Sequence, residues 1–261
     1  MSYYPILKAP YCTGKTTLYN FPPNDWEGAR NDKKVINLSY IDDGLWHSEE
    51  LGELAHGDYQ IINYQDVKNL VPDNALPLLS LTRNKLEKKS EELPKLAHSE
   101  TNVPQYRSTL GLVSKDASTS YQGEINYFPL QASLLTFAPF LQFGVNIENY
   151  VLLINLEKVP QNRLVELEVY DAHSKLLRKT QTIHGNQINI ISLDDMEFDN
   201  QSLPVIICRD MAFIPLFFSC ADQGRFLSIE HTHPPASMVV HGSRFSAQNY
   251  LKEYWFSQCK K

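Results

Sequence analysis

The most regular stretch of the chain is Leu164-Val165-Glu166-Leu167-Glu168-Val169-Tyr170, in which Val165, Leu167 and Val169 alternate with glutamates. Successive side chains of a strand point to opposite faces, so this spacing predicts a strand with one apolar face. The turn formers Asp171-Ala172-His173-Ser174 follow, then a second strand near Leu176 to Ile183, a break at His184-Gly185-Asn186, and a third strand near Gln187 to Leu193. Such short connections predict a three-stranded meander. Longer apolar runs at Ser133 to Phe143, Tyr150 to Leu156 and Leu203 to Ser219 predict strands buried on both faces, or bent where Pro139 and Pro215 interrupt them.

Nearer the start the apolar runs are shorter: Val35 to Ile41, Tyr59 to Tyr64 and Leu76 to Leu81, separated by turn formers such as Asp42-Asp43-Gly44. The tract that follows, Asn84-Lys85-Leu86-Glu87-Lys88-Lys89-Ser90-Glu91-Glu92-Leu93-Pro94 and onward, is charged and holds few large apolar side chains, so it reads as a linker. The expected organisation is an N-terminal β-rich lobe over 1–83, a linker over 84–104, and a β-sandwich domain over 105–261. Only the end of the chain has helical spacing, where Ser246 could cap a segment carrying Tyr250, Leu251, Tyr254, Trp255 and Phe256, expected to pack back on the sandwich. The fold class is therefore all-β, mainly an antiparallel β-sandwich, with a C-terminal helix. Through Val165 to Asp171 and the following Lys175-Leu176-Leu177, the stretch 163–195 resembles immunoglobulin-like and fibronectin type III-like sandwiches. That resemblance implies architecture only.

A hydrophobic share of 43% with 14 Tyr and 12 Phe supplies a core, and a net charge of −6 gives no electrostatic reason to expect nucleic acid. No apolar run approaches the roughly 18 residues of a membrane-spanning helix. The start shows no basic region followed by a long apolar one, so the expectation is a cytoplasmic protein without a membrane partner. Cys12, Cys208, Cys220 and Cys259 form no C-x-x-C pair and read as reduced thiols.

Ala9-Pro10-Tyr11-Cys12-Thr13-Gly14-Lys15-Thr16 fits a relaxed phosphate-loop pattern. That chemistry needs a helix beginning at the Lys-Thr pair, and Phe21-Pro22-Pro23 would stop one within about a turn, so nucleotide binding is rejected.

The segment Phe226 to Gly242 carries the densest chemistry and reads as two strands around Pro234-Pro235. His231 and His233 share a face by the strand period, near enough to hold one divalent metal. A five-residue turn would set His241 opposite His231 and bring three imidazoles together; a four-residue turn would set His241 opposite Glu230 instead. The H-x-H pair starts like a cupin metal motif, but the glutamate that should follow within a few residues is missing. Separately, Ser118-Thr119-Ser120-Tyr121-Gln122-Gly123-Glu124 mixes hydroxyls, an aromatic ring, an amide and a carboxylate, a set suited to sugar hydroxyls. Arg209-Asp210, following the apolar run that ends at Cys208, is either a structural ion pair or part of a ligand site. Asp42-Asp43 and Asp194-Asp195 sit at turns, where adjacent side chains diverge, and read as solvated.

The leading expectation is a non-catalytic β-sandwich binding or accessory protein for a polar ligand, a glycan among them, using Tyr121, Gln122, Glu124, Arg209 and Asp210. The alternatives are a metal-dependent enzyme built on His231, His233, His241 and Glu230, and a structural or assembly protein.

Overall fold

The computed structural model describes residues 3–20, 33–94, 107–123, 125–139, 141–231 and 244–259. The fold is all-β with a C-terminal helix, its strands antiparallel throughout, and the described strands form four sheets. Sheet I has the order β1 (Tyr4–Pro5), β7 (Leu78–Thr82), β4 (Lys34–Asp42), β5 (Leu45–Leu54), β8 (Lys89–Ser90). Sheet II runs β10 (Ser118–Gln122), β9 (Arg107–Val113), β3 (Cys12–Tyr19), β2 (Lys8–Ala9), with β6 (Tyr59–Asn63) also on β3. Sheet III is β11 (Leu134–Phe137), β16 (Pro204–Cys208), β13 (Leu164–Asp171), β14 (Leu177–His184). Sheet IV is β15 (Ile188–Ser192), β12 (Ile147–Ile154), β17 (Ile214–Ala221), β18 (Phe226–Glu230). Helix α1 (Tyr64–Val67) is one turn long, and α2 spans Arg244–Gln258. Among the described residues no helix is long and apolar enough to cross a membrane.

Sheet IV explains why the run Tyr150 to Ile154 is apolar at every position. Val151 and Leu153 pack toward sheet III, with Leu167, Val169 and Ile206, whereas Leu152 and Ile154 join the core of sheets I and II, with Leu18, Ile36 and Leu112. Strand β17 divides in the same way: Phe217 faces sheet III, and Leu216, Phe218 and Cys220 face the N-terminal core. Each fully buried aliphatic side chain contributes roughly 1.5–3 kcal/mol, so β12 alone anchors two cores. Sheet III is covered on its far side as well, since Tyr170, Val205 and Ile207 pack with Cys259, Trp255 and Phe256 beside α2.

Several expectations need correction. The third strand of the expected meander, β15, leaves its neighbours and pairs with β12 in sheet IV, because its alternate side chains serve two layers: Ile191 enters the core shared with sheet III and Ile188 packs on the N-terminal core. Taking β12, β13, β14, β15 and β16 as the second to sixth strands of an immunoglobulin sandwich reproduces its inner pairings, β12 with β15 and β13 with β16. The outer strands are exchanged: β11 lies on β16, where that order has its last strand, and β17 lies on β12, where it has its first. Pro215 falls in β17 beyond the last pair formed with β18, where a missing N–H costs no ladder bond.

The charged tract does not hang free over residues 84–94. Its backbone forms β8 against Trp46 and His47, Leu86 N–H donates to Asn37 Oδ1 at 3.4 Å, and Leu93 is buried. The lysines point outward, as Lys85 does with 72% of its side chain exposed, so composition reported only the outer surface. Beyond it, β9 and β10 pair into the sheet of β3, so the expected boundary near 104 is not a boundary between sheets. Helix α2 begins at Arg244, two residues ahead of the expected cap at Ser246.

The phosphate-loop look-alike is β3, paired on both sides. Its Gly14 is required by close packing, since a Cβ there would lie 2.1 Å from the Leu7 carbonyl oxygen and 2.8 Å from Ile6 Cγ2. Gly14→Ala is expected to cost about 3 kcal/mol, at the upper end of overpacking, and to lower the melting temperature by roughly 6–12 °C. Calorimetry against Thr13→Ala, an exposed neighbour expected to behave as wild type, checks this.

Candidate functional site

The edge strands β10 of sheet II and β18 of sheet IV lie side by side without a shared hydrogen-bond ladder. The junction is pinned nearby. Ser114 Oγ donates to the Gly224 carbonyl at 2.5 Å, and the Tyr11 hydroxyl donates to Glu148 Oε1 at 3.0 Å. Gly224 is needed there twice over: its φ is +93°, and a Cβ would come within 3.1 Å of Tyr11 and 3.2 Å of Ser114.

Along β10, Ser118, Ser120 and Gln122 are exposed while Thr119 and Tyr121 turn the other way. The hydroxyl-rich cluster is thereby split between two faces. Tyr121 meets His231 edge-on, with ring centroids 5.5 Å apart and planes at 66°. His231 Nδ1 is 2.6 Å from the Pro215 carbonyl oxygen. A carbonyl only accepts, so Nδ1 carries a proton and donates to it. Between these strands lies a cavity of about 200 Å³ with a floor of Leu110, Ile125, Ile154 and Leu216. Pro5, Ile214, Tyr121, Gln122, Gly123 and His231 also line it. Burial, followed by the nearby Glu230 carboxylate, raises the Tyr121 phenol above its ordinary pKa. It therefore stays protonated at neutral pH, able to donate and to accept.

Residues of the two expected sites thus come together in one place, Tyr121 and Gln122 from the polar loop and His231 from the histidine segment. Glu230 is exposed at the end of β18, opposite Phe217. Glu124, His233 and His241 lie outside the described residues, as does the second strand expected after Pro234-Pro235. Among the described residues no group of three or more His, Cys, Asp or Glu side chains could hold a metal ion.

Arg209 and Asp210 do not line this cavity. Arg209 Nη2 donates to the Cys259 carbonyl at 2.6 Å and to Glu168 Oε2 at 3.3 Å, and its guanidinium lies 4.7 Å from the Phe256 ring centroid. A cation on the last carbonyls of α2 satisfies groups that the helix leaves open and complements its dipole. Tyr170, fully buried beneath, donates to Glu168 Oε2 at 3.1 Å. The Asp210 carbonyl accepts from Arg163 Nη2 at 2.7 Å. The cysteines are free. Burial pushes the Cys12 thiol up to about 11 and the Cys220 thiol up to about 12, the latter with help from Glu148, so both are held as poor nucleophiles at neutral pH.

The apolar floor carried no signal in the sequence, because Leu110, Ile125, Ile154 and Leu216 look like any core residues. Comparison with protein-family models, with curated proteins and with solved structures found no match.

The cluster around Arg209 makes two measurable claims. Arg209→Ala is expected to destabilise the protein by about 1.5–3 kcal/mol, the worth of hydrogen bonds to charged groups, with faster amide exchange confined first to α2. Burial and then Glu168 push Tyr170 from 10.0 up to about 12. Below pH 10 the phenol is protonated in folded and unfolded chains alike; between 10 and 12 the unfolded chain ionises first, so stability falls across that window. Urea unfolding midpoints recorded from pH 8 upward should fall less steeply in Tyr170→Phe than in wild type.

Proposed function

We propose that this chain is a non-catalytic β-sandwich binding or accessory protein whose ligand is a small polar molecule, in the first place a sugar residue of a glycan. The observation that carries the reading is the meeting of Tyr121 and His231 across the cavity between β10 and β18. An apolar floor with a few polar groups at one side is the usual composition of a small-molecule site. A sugar ring matches it, offering C–H groups to the floor and hydroxyls to Tyr121, Gln122 and the imidazole. The binding groups stand at the C-terminal ends of β10 and β18, and the Ser114–Gly224 hydrogen bond ties the same two strands together where they begin, which favours a preformed site. The free thiols of Cys12, Cys208, Cys220 and Cys259 support a reducing, cytoplasmic setting.

One observation favours a second reading, a metal-dependent enzyme with His231 as a ligand. Histidines that bind metals commonly donate their other ring N–H to a carbonyl, and His231 does so to Pro215. His233, His241 and Glu230 would supply the remaining ligands.

Screening of the purified chain on a glycan array, followed by amide-resolved NMR titration of the best sugar, tests the first reading. Shifts are expected at Tyr121 and Gly123, and Tyr121→Ala should weaken binding there about tenfold, the upper worth of one hydrogen bond. An array without binders, with and without added zinc, would sink it. For the second reading, elemental analysis should give one tightly held metal per chain in wild type and none in His231→Ala.

A further inference from the structure

A second cleft, about 300 Å³ in volume, is lined by the β4–β5 turn with Asp42 and Asp43, by Asn74 in the loop after α1, and by Gln161, Asn162 and Gln187 in two loops of the C-terminal sandwich. Its size is at the lower end of the range for small-molecule sites, roughly 300 Å³ and upward, which suits a single ring-sized ligand. These six side chains provide two carboxylates and four carboxamides, and among the described residues no Lys, Arg, His or aromatic side chain lines the cleft. Carboxylates only accept hydrogen bonds at neutral pH, whereas carboxamides both donate and accept. A hydroxyl group likewise does both, so a polyol can satisfy such a wall at every position. An anion would face two carboxylates with no cation to offset them.

The loops that carry these groups are held from beneath. Asn186, buried at 4% exposure, accepts from Glu157 N–H through Oδ1 at 2.7 Å, and its own N–H donates to Asn155 Oδ1 at 2.8 Å. Its side-chain amide donates to the Val159 carbonyl at 3.2 Å and to the Gln161 carbonyl at 3.4 Å, joining the 185–187 and 159–162 loops through one residue. Asn155 is itself tied to the Ala212 carbonyl at 2.9 Å, and Glu157 is paired with Arg163. On the facing side, Trp46 Nε1 donates to the Lys158 carbonyl at 3.1 Å, fixing the β4–β5 hairpin to the same loop. Three of the segments that form the wall, the β4–β5 hairpin and the 159–162 and 185–187 loops, are thus tied to one another, which lowers the cost of ordering them around a ligand.

We infer that this cleft is a binding site for a neutral polyhydroxylated small molecule of monosaccharide size, with Asp42 and Asp43 accepting from its hydroxyls and Asn74, Gln161, Asn162 and Gln187 donating to and accepting from them. The inference shares its ligand class with the function proposed above but stands on different residues, so the two fail separately.

The test is NMR titration of the full chain with glucose, galactose and mannose, with galacturonate, and with calcium chloride alone. A neutral sugar is expected to shift the amides of Asn74, Gln161, Asn162 and Gln187, with no response to galacturonate. The double variant Asn74→Ala/Asn162→Ala, at two exposed positions, should weaken that response at least tenfold while keeping the wild-type melting temperature. Gln187→Glu gives a second check and should weaken it too. Tyr121→Ala should leave it intact. The inference is overturned if the variants bind as wild type, if galacturonate binds equally well, or if calcium alone produces the shifts and no sugar does. Sugar shifts confined to Tyr121 and Gly123 would overturn the cleft and leave the other reading standing. Silence at both places with every sugar would overturn both.

Discussion

The whole molecule depends on sheet IV being apolar on both faces. Because Val151 and Leu153 look one way and Leu152 and Ile154 the other, one strand contributes to two cores, and neither core can be assembled without it. A sheet with one wet face could have closed a single sandwich and left the remainder of the chain as an appendage. Here the N-terminal sheets and the C-terminal sandwich meet on β12 and β17, and their loops and edges are brought into fixed register around that contact. Both concave surfaces lie along the resulting border: one where β10 and β18 run side by side, the other where the β4–β5 turn meets the loops of the sandwich.

Much of the strand inventory was legible in the sequence, for a physical reason. The unbroken apolar runs Tyr150 to Ile154 and Leu203 to Cys208 report strands covered on both faces, and the alternation in Leu164 to Tyr170 reports the inner face of β13 but not the cover that the end of α2 lays over Tyr170 on the other. The pairing partners were not legible. Strand β15 has polar and apolar neighbours that suit either sheet, and only the depth of the cores that receive Ile188 and Ile191 decides between them. The charged tract misled for the opposite reason: side chains such as Lys85 describe the solvent side, while the backbone beneath makes the structural bonds.

The sites were legible in fragments. Tyr121 and His231 each stood out by chemical type, but their meeting depends on two edge strands from different sheets, and no spacing in the sequence encodes that. The Arg209-Asp210 pair looked equally chemical, but Arg209 is occupied with the end of α2 and the Asp210 carbonyl with Arg163. The carboxamides of the second cleft drew no attention, since Asn162 and Gln187 are ordinary loop residues. Only the buried carboxamide of Asn186, linking their two loops, makes them one surface.

The crossing of β9 and β10 into the sheet of β3 carries a consequence for how such a chain can change over generations. Its halves cannot be traded like beads on a string, because a fragment ending before residue 107 leaves β3 unpaired along one side, and one starting there bares the inner side of sheet IV to water. Heritable variation should therefore collect in the turns and rims, with both halves drifting in step.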